Sequence, residues 1–341
     1  MRAAVMRGGA LVVDTVPDPE PGPGEFLVRT LACGICGSDL HTLQHTDKVV
    51  EAARESGAPF MMDPARDIVM GHEFCAEIVD FGPGTQQTHK SGTRVVSMPL
   101  VIGAKGIHGV GYSNEYPGGY GQLMALSELF VLPVPNGLAT EHAALTEPMA
   151  VGLHAIEKAR LQPGESPVVI GCGPVGLAVI AAAKLRGMEP IIAADFSPTR
   201  RALAERMGAH VVVDPRQRPP IDAWQEAARG PAVFFECVGV PGLIQQIIRD
   251  APREARIVVV GVCMEDDRIR PMLAINKELS LQFVLGYTPD EFAETLRSIA
   301  EGRIDVAPLV TGRVGVEGVP GAFTDLANPE AHAKILVEPW R

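Results

Sequence analysis

The sequence predicts an α/β chain in two parts, one β-rich and one built as a doubly wound parallel sheet. Three observations carry that reading. Residues 1 to about 140 are rich in Gly and Pro and hold short β-branched runs. Residues 141 to about 286 instead alternate apolar runs with helical patterns at the spacing of βαβ units. The third is the stretch 167–201, PVVIGCGPVGLAVIAAAKLRGMEPIIAADFSPTRR, in which a strand, a glycine turn, a helix and a second strand follow one another.

In the first part the runs are Leu11-Val12-Val13, Phe26-Leu27-Val28, Ala76-Glu77-Ile78-Val79 and Arg94-Val95-Val96. Turn signals such as PDPEPGPGE and FGPGT separate them, which predicts an antiparallel, partly barrel-like β domain. In the second part, Ser197 caps a helix over 198–207 that Gly208 stops, and a strand follows at 211–213. Helices at 222–229 and 242–249 and strands at 232–235 and 256–260 complete the alternation. An amphipathic helix over 290–301 and a strand at 334–337 close the chain.

The glycine turn has a chemical reading. Gly171 allows a tight turn, Gly173 lets backbone approach a pyrophosphate, and Gly176 lets the helix pack against the strand. Pro174 and Val175 open that helix, whose bare amides and dipole form an anion site. Asp195 follows Gly176 by 19 residues, where a carboxylate accepts hydrogen bonds from a ribose and repels a 2′-phosphate. NAD is therefore expected over NADP, with Arg200 and Arg201 nearby tempering the preference.

Composition narrows the partners. The chain has 341 residues, 46% hydrophobic and 21% charged, enough for two cored domains. A net charge of −11 without a Lys/Arg block argues against nucleic acid and anionic membrane. The N-terminal MRAAVMRGGALVVDTV lacks a signal peptide's apolar core, and no apolar run reaches about 18 residues. A cytoplasmic location is expected. The six cysteines (33, 36, 75, 172, 237, 263) are too sparse for a disulfide scaffold, leaving reduced thiols or metal ligands.

The most chemically loaded segment is CGICGSDLH, residues 33–41. Cys33 and Cys36 form a CxxC, but the chain holds no second one, so a closed four-thiolate zinc site is ruled out. His72 and Glu73 follow in GHEF, and Glu147 in LTEPMAVGLHA. One thiolate, one imidazole and one or two carboxylates make an open, catalytic zinc set. The other five cysteines read as packing residues, and His108, His142 and His154 receive no role.

CGICGSDLH, GHEF, EPMAVGLHA, GCGPVG with its later Asp, and ECVGV at 236–240 occur in the order and approximate spacing of the zinc-dependent medium-chain alcohol/polyol dehydrogenases. The chain resembles their sorbitol/threonine dehydrogenase branch over nearly its whole length. The resemblance implies a GroES-like catalytic domain (1–145 with 287–341) and a Rossmann domain (146–286). It implies that Cys36, His72 and Glu73 or Glu147 hold one catalytic zinc. Ser38 matches the hydroxyl beside the substrate oxygen, His41 the outer end of a proton relay, and Asp39 the carboxylate that orients His72. Lys334 falls where the family often has a basic residue near the pyrophosphate, and Val238 and Val260 where the chain touches the cofactor. A homodimer or homotetramer is implied, with 256–260 and 279–285 near a sheet edge.

Two departures stand out. The stretch 97–119, where the family places four cysteines around a structural zinc, contains none, so that ion is expected to be absent and the lobe to be a glycine-rich loop. An extra segment, about 44–66, with the helix-like DKVVEAARES and the apolar PFMM, lies between two metal-ligand motifs and is expected to border the substrate pocket or an oligomer contact. The tyrosines 112, 116 and 120 either line the substrate mouth or pack. The main expectation is a zinc-dependent, NAD-linked dehydrogenase of secondary alcohols or polyols. The alternatives are a zinc-free quinone-reductase-like enzyme of the same fold and a non-catalytic dinucleotide-binding protein.

Overall fold

The computed structural model describes residues 1–58, 62–103, 106–228 and 230–341. The chain opens with a hairpin of β1 (Arg2–Arg7) and β2 (Ala10–Thr15), followed by the long β3 (Glu25–Gly34). Two helices, α1 (Gly37–Gln44) and α2 (Thr46–Ser56), precede β4 (Glu73–Phe81) and β5 (Arg94–Ser97). Next come β6 (Leu100–Gly103), β7 (Gly106–Gly109), β8 (Leu123–Ser127), β9 (Val131–Pro133), α3 (Thr140–Ala143) and α4 (Thr146–Ala159). Among the described residues, β3 is the spine of a seven-stranded mixed sheet, paired antiparallel with β4 and β8.

The alternating region runs β10 (Ser166–Ile170), α5 (Pro174–Leu185), β11 (Ile192–Ala194), α6 (Pro198–Met207), β12 (Val211–Val213) and α7 (Pro220–Ala227). It continues with β13 (Ala232–Glu236), α8 (Leu243–Asp250), β14 (Arg256–Val259), α9 (Pro271–Lys277) and β15 (Ser280–Phe283). The strands form a parallel sheet in the order β12-β11-β10-β13-β14-β15 among the described residues. Side chains alternate across it. Val169, Phe235 and Val258 pack with α4 and α5, while Val168, Phe234 and Ile257 enter a separate cluster on the other face. Both faces are therefore apolar, as a doubly wound sheet demands.

The chain then returns through α10 (Pro289–Ala300), β16 (Val310–Val314), α11 (Val319–Leu326) and β17 (Lys334–Val337). β17 pairs antiparallel with the end of β3, which closes the first sheet with the last strand of the chain. α10 packs on α4, and its Glu294 takes both terminal nitrogens of Arg186 just past α5.

One expectation changes here. The cysteine-free lobe is not simply a loop, because β6 and β7 pair antiparallel within it; its glycines hid the alternation of Leu100, Val101, Ile107 and His108. As expected, 256–260 and 279–285 lie near a sheet edge: β15 is one edge strand of the parallel sheet and β14 is its neighbour, with β12 at the opposite edge among the described residues. In the 44–66 segment the predicted helix is present as α2, whereas Pro59, Phe60 and Met61 of the PFMM run lie outside the described residues. The segment ends on the lobe. Asn114 accepts from the Asp63 amide at 2.7 Å and donates to the Asp63 and Asp67 carbonyls, while Arg66 pairs with Glu115. Among the described residues, no helix is long and apolar enough to cross a membrane.

Candidate active site

Strand register assembles the site. β3 ends at Gly34, leaving Cys36 at the N-cap of α1, and β4 begins at Glu73 directly after His72. Pairing sets Gly34 opposite Glu73, and a Cβ on Gly34 would lie 2.1 Å from a Glu73 oxygen, so any side chain there would displace the Glu73 carboxylate. The ligating atoms of Cys36, His72 and Glu73 then lie within 4.8 Å of one another. A thiol, an imidazole and a carboxylate at that spacing fit zinc with an open coordination position.

Asp39 is the hub behind them, with no exposed surface. Its Oδ2 accepts the Tyr120 hydroxyl at 2.6 Å and the Cys36 amide at 3.1 Å. Its Oδ1 accepts the Tyr112 hydroxyl at 3.0 Å and faces His72 Nδ1 at 3.4 Å. Burial alone would raise the pKa of this carboxyl, but the charge of His72 and the donated hydrogen bonds outweigh it and hold Asp39 below the ordinary value. With Nδ1 turned to Asp39, His72 keeps its other ring nitrogen for an ion.

Glu73 has a second partner. Lys334, the first residue of β17, donates to both its oxygens at 2.7 Å and to the Ile35 carbonyl at 3.0 Å. The ammonium expected near a pyrophosphate is spent on this buried carboxylate, because β17 runs beside β3 and points Lys334 inward. Glu147, in the first turn of α4, accepts the Tyr287 hydroxyl at 2.9 Å and stands outside the three-residue cluster. Burial first, and the charge of Glu73 second, push its carboxyl up to about 7 against His72, Tyr287 and Lys334.

On α1, the Ser38 hydroxyl lies 2.9 Å from that of Tyr112. His41 is half-buried, and burial together with the charge of His45 keeps its pKa below 6.5. Sequence reasoning left the tyrosine roles undecided. Tyr112 and Tyr120 reach Asp39 from a stretch without periodic pattern, while Tyr287 reaches Glu147 across 140 residues.

The glycine turn borders a cleft of about 650 Å³ whose walls include Gly171, Asp195, Arg200 and Val238. Gly171 has φ +91°, and a Cβ on Gly176 would lie 1.8 Å from the Gly171 carbonyl. Beside Gly173 the space is open, with only the Arg200 guanidinium 4.0 Å from where a Cβ would be. Arg200 Nε is buried without a partner, an unspent donor at the place where a phosphate would lie. Asp195 accepts from the Cys172 amide at 2.7 Å and the Ser197 amide at 2.8 Å, which locks it at the cleft wall. Pro174 and Val175 start α5 there. Val260 does not line the cleft. Its side chain is buried in the core while its amide bonds to the Glu236 carbonyl. Sequence reasoning missed the Glu236 side chain, which accepts the amides of Val238 and Gly239 at 2.7 and 2.8 Å and so shapes the ECVGV turn.

These features match known proteins. Residues 22–136 match the alcohol dehydrogenase GroES-like domain, and residues 174–301 match the zinc-binding dehydrogenase family. The chain is 31% identical to (R,R)-butanediol dehydrogenase of Bacillus subtilis, over 96% of each chain. It is also 31% identical to that organism's sorbitol dehydrogenase, over 100% of this chain and 98% of the relative. The crystal structure of 2R,3R-butanediol dehydrogenase from Bacillus subtilis superposes with a TM-score of 0.85 at 29% identity, over 99% of both chains. The chain belongs to the zinc-dependent medium-chain alcohol/polyol dehydrogenase family.

Proposed function

We propose that the chain is a zinc-dependent, NAD-preferring dehydrogenase that moves hydride between a secondary alcohol or polyol and NAD. One observation carries the proposal, the convergence of Cys36, His72 and Glu73 within 4.8 Å. Asp195 on the cleft wall supports NAD over NADP, since its charge opposes a 2′-phosphate.

When bound, zinc supplies Lewis acidity and the nicotinamide supplies the hydride acceptor. The chain's own residues do the rest. Cys36, His72 and Glu73, with Glu147 behind them, would hold the ion. Asp39 orients His72, and Lys334 keeps the charge of Glu73 balanced where water is excluded. Ser38 receives the substrate proton, and His41, neutral near pH 7, is the final acceptor. The exposed Phe283 and Leu285 on the β15 edge support a homodimer or homotetramer, and six free thiols support a cytoplasmic setting.

Metal content and turnover test the proposal together. About one zinc per chain, with NAD-dependent oxidation of some member of a panel of alcohols, sugar alcohols and hydroxy amino acids, is expected. Metal-free protein after gentle preparation, reducing activated double bonds instead, would favour the zinc-free reductase.

A further inference from the structure

We propose that Tyr112 is a positioning residue that fixes the direction of the Ser38 hydroxyl hydrogen, so that Ser38 meets the substrate as a proton acceptor. The inference rests on the dehydrogenase reading, in which Ser38 faces the substrate oxygen.

Hydrogen counting carries it. The Tyr112 hydroxyl is within bonding distance of two groups, Ser38 Oγ at 2.9 Å and Asp39 Oδ1 at 3.0 Å. A phenol has one hydrogen to give, and an ionised carboxylate only accepts. His72 Nδ1 also faces Asp39 Oδ1, at the longer distance of 3.4 Å, and a carboxylate oxygen has lone pairs for both donors. A charged acceptor with no exposed surface outcompetes a neutral hydroxyl for that hydrogen. Tyr112 therefore donates to Asp39, and the contact with Ser38 is made with the hydrogen of Ser38. What Ser38 retains for a ligand is its lone pairs.

The direction has a chemical consequence. An alcohol offers Ser38 a hydrogen, whereas a carbonyl compound offers only an acceptor, so the resting site is set for the alcohol. In oxidation the alcohol proton moves to Ser38 Oγ, while the hydrogen that Ser38 carried leaves Tyr112 for the relay ending at His41. Ser38 finishes neutral and His41 holds the proton. Asp39 already accepts from Tyr120 and the Cys36 amide on its other oxygen and is fully buried, so the Tyr112 arm orients without conducting. Tyr112 arrives from the cysteine-free lobe, and its ring centroid lies 5.3 Å from that of His72.

Tyr112→Phe in the zinc-loaded enzyme keeps the ring and removes the hydroxyl. Two non-reacting probes read the result, trifluoroethanol in the NAD complex and a small carboxamide, as carbonyl mimic, in the NADH complex. The variant should bind trifluoroethanol about three- to tenfold more weakly, the worth of one hydrogen bond, and the carboxamide as well as before or better. A purely structural role would weaken both alike, and that result, or no change in either, overturns the proposal. In a Ser38→Ala background, Tyr112→Phe should leave the ratio of the two affinities unmoved; a persisting shift also overturns it. If Tyr112→Phe does not fold, Ser38→Ala alone should weaken trifluoroethanol selectively, and equal weakening of both probes counts against the proposal. Wild-type protein that oxidises no alcohol refutes the dehydrogenase reading, whereas an active wild type with an unmoved affinity ratio refutes only the role of Tyr112.

Discussion

Lys334 holds its ammonium 2.7 Å from both oxygens of Glu73, where the two side chains are 2% and 0% exposed. The pair joins the last strand of the chain to the first residue of β4, which is itself one of the three candidate metal ligands. Removing one member strands the other charge in a dry interior. Lys334→Met should lower the free energy of unfolding by about 3–5 kcal/mol. Chemical denaturation measures this, and a loss under about 1 kcal/mol would mean that Glu73 finds a counter-charge elsewhere.

Cys36→Ala removes the thiol from the three-residue cluster. Turnover should vanish and zinc content should fall, while NAD affinity stays within a few-fold because the nucleotide cleft is walled by other residues. Metal analysis and fluorescence titration with NADH check the two halves separately. Unchanged alcohol oxidation would exclude Cys36 as a ligand.

Asp195→Ala removes a carboxylate from the cleft wall, where the proposed reading puts the ribose. Because Asp195 also fixes the Cys172 and Ser197 amides, binding of both cofactors should suffer, so the informative quantity is the ratio. NADP should gain on NAD by about tenfold or more, since the charge that repels a 2′-phosphate is gone while the Arg200 guanidinium stays in the cleft wall. A constant ratio of kcat/KM values would remove Asp195 from the ribose.

The pH profile tests His41. Its pKa lies below 6.5, and it accepts a proton only when neutral, so alcohol oxidation should be level above pH 6.5 with respect to this group and decline on the acid side. His41→Gln should reduce oxidation on the order of tenfold, at the low end for acid–base groups because water can substitute at an outer position. The acid limb should shift or disappear with it. An identical profile in the variant would place the proton acceptor elsewhere.

Much of the frame was legible because it is written locally. The helix over 198–207 and the strands at 211–213 and 334–337 coincide with α6, β12 and β17, each set by nearby caps and apolar runs. Glycines 171 and 176 fill the turn and close-packing roles their spacing implies, and Gly173 faces open space. The hydrogen bonds that tune the site were not legible. Tyr112 and Tyr120 lie 73 and 81 residues from Asp39, and Lys334 lies 261 residues from Glu73. No periodicity links such positions, because only the strand order of the finished sheet brings them together. The β6–β7 hairpin escaped for a different reason, since its glycines resemble loop punctuation.

The Asn114 side chain grips the 44–66 segment and its flank through peptide groups alone, the amide of Asp63 and the carbonyls of Asp63 and Asp67. Every amino acid except proline carries both groups, so the anchorage tolerates any other side chain at position 63, and any at 67, as long as the main-chain path is kept. Evolution, or an engineer, can thus vary this rim of the enzyme widely while the lobe that delivers Tyr112 and Tyr120 stays moored.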